Sequence, residues 1–236
     1  MKHFLKTVGC ALSAACAVAT LGLISATPAW AQTSVGDVVR ASGSASIKRA
    51  NGQPQAAKAK DEVFVADVLT TEGDGQIMVR LKDKSTMLVR PKSQVVIEDF
   101  KFEKKPDDRI NANVVSGAMR AVTGEIAKDK PANVKYSAGT ATIGIRGTDI
   151  ELAIIEDGQK DRAGVYNYVY SGLTEMALAS GERVSVEKEL TGFTPAKINP
   201  GESPLQVLRD RPAFLQSSGF DALLQQLTNP RIPMIR

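Results

Sequence analysis

The sequence predicts an all-β protein, built as a β-sandwich, roll or β-solenoid of short strands and followed by one short C-terminal α-helix. Short runs of β-branched residues recur at intervals of about ten residues, a spacing typical of small sheets joined by tight turns. In the clearest runs apolar residues occupy every second position, and no segment before Pro200 shows a helical period. A sandwich and a solenoid produce the same alternation, so the sequence leaves both arrangements open.

Residues 1–31 have the pattern of a cleavable signal peptide. A basic start precedes an apolar stretch over residues 8–26, and Ala29 and Ala31 supply the small residues that a signal peptidase requires. We therefore expect cleavage after Ala31 and export to the periplasm or the medium, with no membrane span left after cleavage. An uncleaved anchor and a lipid at Cys16 are alternatives that the pattern disfavours.

The predicted mature chain contains no cysteine, histidine or tryptophan. The residues of these types are Cys10, Cys16, His3 and Trp30. Cys-His and Ser-His-Asp nucleophiles, zinc or copper sites with His or Cys ligands, and disulfides are therefore excluded from it. We expect a protein that is not an enzyme and holds no cofactor or metal. Lysines and arginines are interspersed with acidic residues, so no nucleic-acid partner is expected either.

Residues 35–200 form the predicted β domain. Its clearest strand runs are 63–65, 77–81, 86–90 and 95–97. Ile77, Val79 and Leu81 recur at every second position, with Arg80 and Lys82 on the other face, which predicts a half-buried strand. Gly-, Asn- and Asp-containing turns separate the runs, as expected for hairpins. One domain accounts for this length.

Residues 201–236 form a predicted tail with one amphipathic helix. The apolar face of this helix is formed by Phe220, Leu223, Leu224 and Leu227. Ser218 followed by Asp221 resembles a capping box, and Asn229-Pro230 ends the pattern. Such a face packs either on the β domain or on a partner protein, and these four residues are therefore candidates for an interaction surface.

Three passages, taken together, resemble the FecR-type periplasmic domain. They are residues 36–47, residues 67–93 and residues 117–150, the last of which contains the string Ala-Thr-Ile-Gly-Ile-Arg-Gly-Thr-Asp at 141–149. The resemblance implies a domain that receives a signal from another envelope protein. Regulators of the ferric-citrate type add a cytoplasmic anti-sigma segment and a spanning helix, in whose place this chain has the predicted signal peptide. We therefore expect a free-standing exported FecR domain whose partner is a membrane sensor or an outer-membrane component.

The string at 141–149 also has a physical interpretation of its own. Ile143 and Ile145 alternate with polar or small residues, so a strand here would point both isoleucines inward. Gly144 and Gly147 indicate a close approach of another backbone or a β-bulge.

Arg146 is the candidate clamp of this string. Its guanidinium group carries several donors in a fixed fork and would tie Thr148, Asp149 or neighbouring carbonyls together. The alternative is recognition of a carboxylate or phosphate on a ligand. Asp149 and Glu151 share a strand face, but no other catalytic group converges on them, so an acid-base pair is not expected.

A row of three tyrosines is the other candidate interaction surface. The row consists of Tyr166, Tyr168 and Tyr170, which a strand would present on one face. The alternative is a packed face, with Val165, Asn167 and Val169 outside. Two functions follow from these observations: a periplasmic protein-interaction or signalling adaptor, or an envelope scaffold that binds a glycan through the tyrosine face.

Overall fold

The structure is a computed structural model in which residues 33–215 and Phe220 are described. The predicted signal peptide lies outside these residues, as do Leu223, Leu224 and Leu227. Within the described part the protein is almost entirely β, which confirms the predicted class. None of the helices described there is long and apolar enough to cross a membrane.

Sixteen strands form one hydrogen-bonded sheet in the described part of the chain. In chain order they are β1 (Gly36–Ser42), β2 (Ala45–Lys48), β3 (Pro54–Ala56), β4 (Glu62–Val63), β5 (Val68–Thr71), β6 (Gln76–Leu81), β7 (Thr86–Val89), β8 (Gln94–Lys101), β9 (Arg109–Ser116), β10 (Ala118–Val122), β11 (Val134–Ala138), β12 (Ala141–Ile155), β13 (Gly164–Leu178), β14 (Arg183–Glu187), β15 (Thr191–Pro195) and β16 (Gln206–Leu208).

The two longest strands, β12 and β13, organise the sheet. Strand β12 pairs with β11 along its first half and with β10 along its second half, and β13 pairs with it from the other side. Strands β14 and β15 both pair with the other edge of β13, and β16 pairs with β15. Most neighbouring strands are antiparallel, whereas β9 and β11 run parallel. The sheet curls into a half-barrel around its main core.

The main core fills the concave side of this sheet. Ile77, Val79 and Leu81 are buried there, as their spacing predicts. Ile143 and Ile145 of β12 are buried in the same core, so their predicted inward direction is also confirmed. Burial of these and the other apolar side chains of the core supplies most of the driving force that closes the sheet.

The chain between β10 and β11 forms a short helical connection that the sequence analysis did not predict. It consists of α1 (Glu125–Asp129) and a 3-10 turn (Pro131–Asn133). A helix of five residues is too short to show a helical period. Ile126 and Ala127 of this connection are nevertheless buried in the main core.

The described residues of the tail, 201–215 and Phe220, cover part of the convex side of the sheet. Leu215 is buried with Tyr166 and Tyr168, and Phe220 is fully buried against Met78 and Leu88. The sheet is therefore buried on both sides where β13 and its neighbours pass under this segment.

Candidate functional site

The 141–149 string contains a bulge in β12. The pairing of β12 with β13 shifts register between Arg146 and Asp149, and Gly147 takes a φ of 64° at the shift. Glycine adopts this left-handed backbone at little cost, whereas a β-branched residue would be strained there. The bulge predicted at Gly147 is thus confirmed, whereas Gly144 has neither a bulge nor a close backbone contact. The bulge shifts the alternation by one residue, so Ile143 and Ile145 before it and Ile150 after it all face the main core, and Arg146 and Asp149 lie on the other side.

Asp149 is held on the convex side by Arg120 of β10. The Nε atom of Arg120 donates to Oδ1 of Asp149 at 2.9 Å, and its Nη2 atom donates to Oδ2 at 2.7 Å. The backbone N–H of Thr148 donates to Oγ1 of Thr123 at 2.9 Å, and Thr123 donates back to the Thr148 carbonyl at 3.0 Å. These bonds fasten the end of the string to β10.

Arg146 is not the clamp that the sequence predicted. Its side chain is exposed, and it forms no ion pair or hydrogen bond with the described residues. The carboxylate of Asp149 is bound by Arg120, to which the sequence analysis gave no role. The Gly144, Arg146 and Gly147 positions instead border an open groove, described below.

A network of charged and aromatic groups holds the tail on the convex side. Nη1 of Arg90 donates to Oε1 of Glu151 at 2.5 Å and to the Phe214 carbonyl at 2.6 Å. The hydroxyl of Tyr170 donates to Oε2 of Glu151 at 2.6 Å. Main-chain acceptors of the tail are thus satisfied by side chains of the sheet.

The predicted row of exposed tyrosines is wrong for two of its members. Tyr166 and Tyr168 are only 4% and 7% exposed, because the tail and β15 cover them. The ring of Tyr166 lies 4.4 Å from that of Phe193 and 5.0 Å from that of Phe214, between centroids. Tyr170 is half-buried against Tyr168. The three rings therefore form packing and tail contacts.

The alternative interpretation, in which the tyrosines pack inward and the residues between them face solvent, is also wrong in part. It placed Val165, Asn167 and Val169 outside, but all three are buried. Their side of β13 faces the main core, where the Asn167 Nδ2 atom donates to Oγ1 of Thr174 at 2.7 Å. Both faces of this part of β13 are therefore buried.

The helical connection between β10 and β11 and the exposed face of β11–β14 border a groove of about 610 Å³, which we call the Gly144 groove. Its charged lining consists of Lys128, Lys135, Arg146, Glu175 and Arg183. Arg183 donates to Glu175 at 2.7 Å, so these two charges offset each other. The other three cations form no ion pair with any described residue. The groove therefore carries a local excess of positive charge.

Gly144 lines this groove at a position where a side chain would fit without a close contact. A Cβ atom added to Gly144 would lie 3.7 Å from the nearest atom, the Glu175 carbonyl oxygen, which is ordinary contact. At Gly117 and Gly124 an added Cβ would come within 2.4 Å of backbone atoms. Internal packing thus accounts for glycine at those two positions and does not account for it at Gly144.

Residues 67–168 match the family model described as FecR protein. Over these residues the chain is similar to the FecR domain. The match begins at the turn before β5 and ends inside β13, so it includes Arg120, Gly144, Arg146 and Asp149. The tail that covers the convex face lies beyond the matched residues of the FecR domain.

Solved structures resemble the chain at low sequence identity. Two crystal structures of a candidate anti-sigma factor from Parabacteroides distasonis ATCC 8503 are 11% identical, with TM-scores of 0.47 and 0.44. Each alignment covers 67% of this chain and 64% of the other, so the chain spans less than two thirds of the length of these proteins. A cell surface anchoring domain is 23% identical over 27% of this chain and 84% of its own, with a TM-score of 0.26. No curated protein matches the chain.

The site residues that sequence reasoning missed share one property. Arg90, Arg120, Lys128 and Lys135 each act together with residues far from them in the sequence. No local motif marks such residues, and only the sheet register brings them to the string at 141–149. In the described residues no group of three acidic, His or Cys side chains is placed to bind a metal.

Proposed function

We propose that this protein is an exported signalling adaptor that binds another protein of the cell envelope through the Gly144 groove. The FecR domain supports a signalling or regulatory role for the chain. The observation that carries the proposal is the groove over the most specific string of that domain, with three cations that form no ion pair with a described side chain.

The carboxylates nearest to the groove support a binding role over a catalytic one. Asp149 and Glu151 are bound by Arg120 and Arg90. Their oxygens are thus engaged in charge-assisted hydrogen bonds with guanidinium groups. The groove itself offers cations and backbone, which suit the recognition of a partner.

A glycan-binding scaffold is the weaker candidate. Its predicted platform was the tyrosine row, and the burial of Tyr166 and Tyr168 leaves no exposed row of rings for stacking on sugars. Export to the periplasm or the medium stays a prediction from residues 1–31.

Site-specific crosslinking in whole cells tests the proposal. A photoreactive residue is placed at Ala132, an exposed residue at the rim of the groove, in the full-length chain. The control carries it at Lys188, which is exposed in the turn between β14 and β15. We expect one envelope protein to be crosslinked at Ala132 and not at Lys188. No protein adduct at either position, or retention only on cell-wall polysaccharide, would contradict the proposal.

A further inference from the structure

We propose that the Gly144 groove binds an extended acidic peptide segment. This inference deepens the proposed function and rests on it, since the segment would belong to the partner protein. Three features of the groove carry it: a glycine where a side chain would otherwise stand, cations without an ion pair to a described residue, and a described lining without aromatic rings.

The floor at Gly144 leaves room for a second backbone. In the sheet register Gly144 lies opposite Lys135 on one side and Glu175 on the other, and Glu175 lies opposite Ser185. The absence of a side chain at Gly144 opens a gap in this row of four residues. A glycine inside a strand that packing does not require often marks the place where a ligand or another chain approaches closely.

The dimensions of this row suit a short peptide. Four neighbouring strands span about 14 Å, because strands in a sheet lie about 4.8 Å apart. An extended peptide rises about 3.3 Å per residue, so about four residues cross the row. The groove volume of about 610 Å³ is in the range of ordinary ligand sites.

The positive charge of the groove favours acidic peptides. Lys128, Lys135 and Arg146 border it without an ion pair to any described residue. Carboxylates of a ligand would form charge-assisted hydrogen bonds with these groups, and Arg146 would bind one in the two-pronged manner of guanidinium groups. An acidic segment is therefore favoured over a neutral or basic one.

The remaining lining favours a peptide over a neutral sugar. The apolar lining is provided by Ala127, Pro131, Ala132 and Ile145, and no aromatic ring among the described residues borders the groove. A neutral sugar would therefore find no ring to stack on, whereas the apolar residues can contact the side chains of a peptide.

Selection from a random peptide library tests the inference. The full exported protein, purified from cells, is exposed to a display library of random decapeptides, and the Gly144→Val variant serves as the reference. We expect peptides rich in Asp and Glu to be enriched at least about tenfold on the wild type relative to Gly144→Val. Enriched peptides should lose binding to Arg146→Glu and in high salt.

Thr142→Val is the matched control for the blocking variant. Thr142 is exposed on the same face of β12, two residues from Gly144, and does not line the groove. We expect this variant to select the same peptides as the wild type, and thermal melting to show that both valine variants fold. Loss of binding in both variants, enrichment of non-acidic peptides, or equal enrichment on Gly144→Val would overturn the inference.

Two further outcomes separate this inference from the proposed function. Binding of polygalacturonate in a Gly144-dependent manner, with no peptide enriched, would replace the peptide by an anionic polysaccharide. A protein crosslinked at Ala132 whose yield is unaffected by Gly144→Val and Arg146→Glu would keep the adaptor function and overturn the acidic-peptide groove.

Discussion

Arg120 and Asp149 form a two-pronged ion pair that joins β10 to β12 on the convex side of the sheet. The same guanidinium group lies 3.7 Å from the ring centroid of Tyr170 and 4.7 Å from that of Phe220. Arg120 thus binds the FecR-domain strand, a tyrosine of β13 and the tail at once. Cation–π contacts at these distances add to the ion pair, since little water reaches the site.

Replacement of Arg120 by alanine is expected to lower the free energy of unfolding by about 3 kcal/mol or more. The side chain of Arg120 is 3% exposed and that of Asp149 is 17% exposed, so the variant leaves a nearly buried carboxylate without its partner. Arg146→Ala should change stability by no more than about 0.5 kcal/mol, because Arg146 is exposed. Urea unfolding of both variants measures the difference, and equal losses would contradict the assignment of the clamp to Arg120.

Phe220→Ala is expected to destabilise the protein by about 3 kcal/mol. The ring of Phe220 is fully buried against the convex side of the sheet, and truncation of a buried aromatic ring leaves a cavity. Val207→Ala in the same tail is the control, with an expected loss below about 1 kcal/mol, since Val207 is 38% exposed. A negligible loss for Phe220→Ala in thermal unfolding would show that the tail does not pack on the sheet in solution.

Gly144→Ala is expected to leave stability unchanged or to raise it by up to about 1 kcal/mol. The added methyl group meets no close contact, and the variant reduces the entropy of the unfolded chain. Gly124→Ala is the contrasting variant, because its Cβ would lie 2.1 Å from the Asp83 carbonyl oxygen. Chemical denaturation should show a clear loss for Gly124→Ala alone. A comparable loss for Gly144→Ala would mean that packing requires this glycine.

Asp83 is expected to make the stability of the protein depend on pH in a defined direction. Burial raises the pKa of this carboxyl above its usual range, although Ser85 donates to it from its N–H at 3.0 Å and its hydroxyl at 2.7 Å. A raised pKa in the folded state means that stability is greatest below the unfolded-state pKa and declines as pH rises through the folded-state value. The stability of Asp83→Asn relative to wild type should therefore increase between about pH 4 and pH 7. Urea midpoints at several pH values measure this, and a relative decrease over that range would show that the pKa of Asp83 is lowered.

The local pattern of β12 could be predicted from the sequence. The alternation of Ile143 and Ile145 with polar or small residues predicts their burial, and Gly147 predicts the bulge. Both features depend only on residues next to one another along one strand. The all-β class follows from the same kind of pattern.

The partners of that strand could not be predicted in the same way. Arg120 lies 29 residues before Asp149, and its contact with Asp149 depends on the register of β10 against β12. Lys128 reaches the groove from a helix of only five residues, which has no recognisable period. The strand alternation could not show that the tail covers Tyr166 and Tyr168 either.

The most direct test of the account compares two valine variants in whole cells. Full-length chains with the crosslinker at Ala132 carry either Gly144→Val or Thr142→Val, and the yield of the protein adduct is measured at equal expression. We expect Gly144→Val to abolish the adduct and Thr142→Val to retain it at the wild-type level. An adduct that persists in Gly144→Val would show that the partner binds elsewhere and would contradict the Gly144 groove as its site.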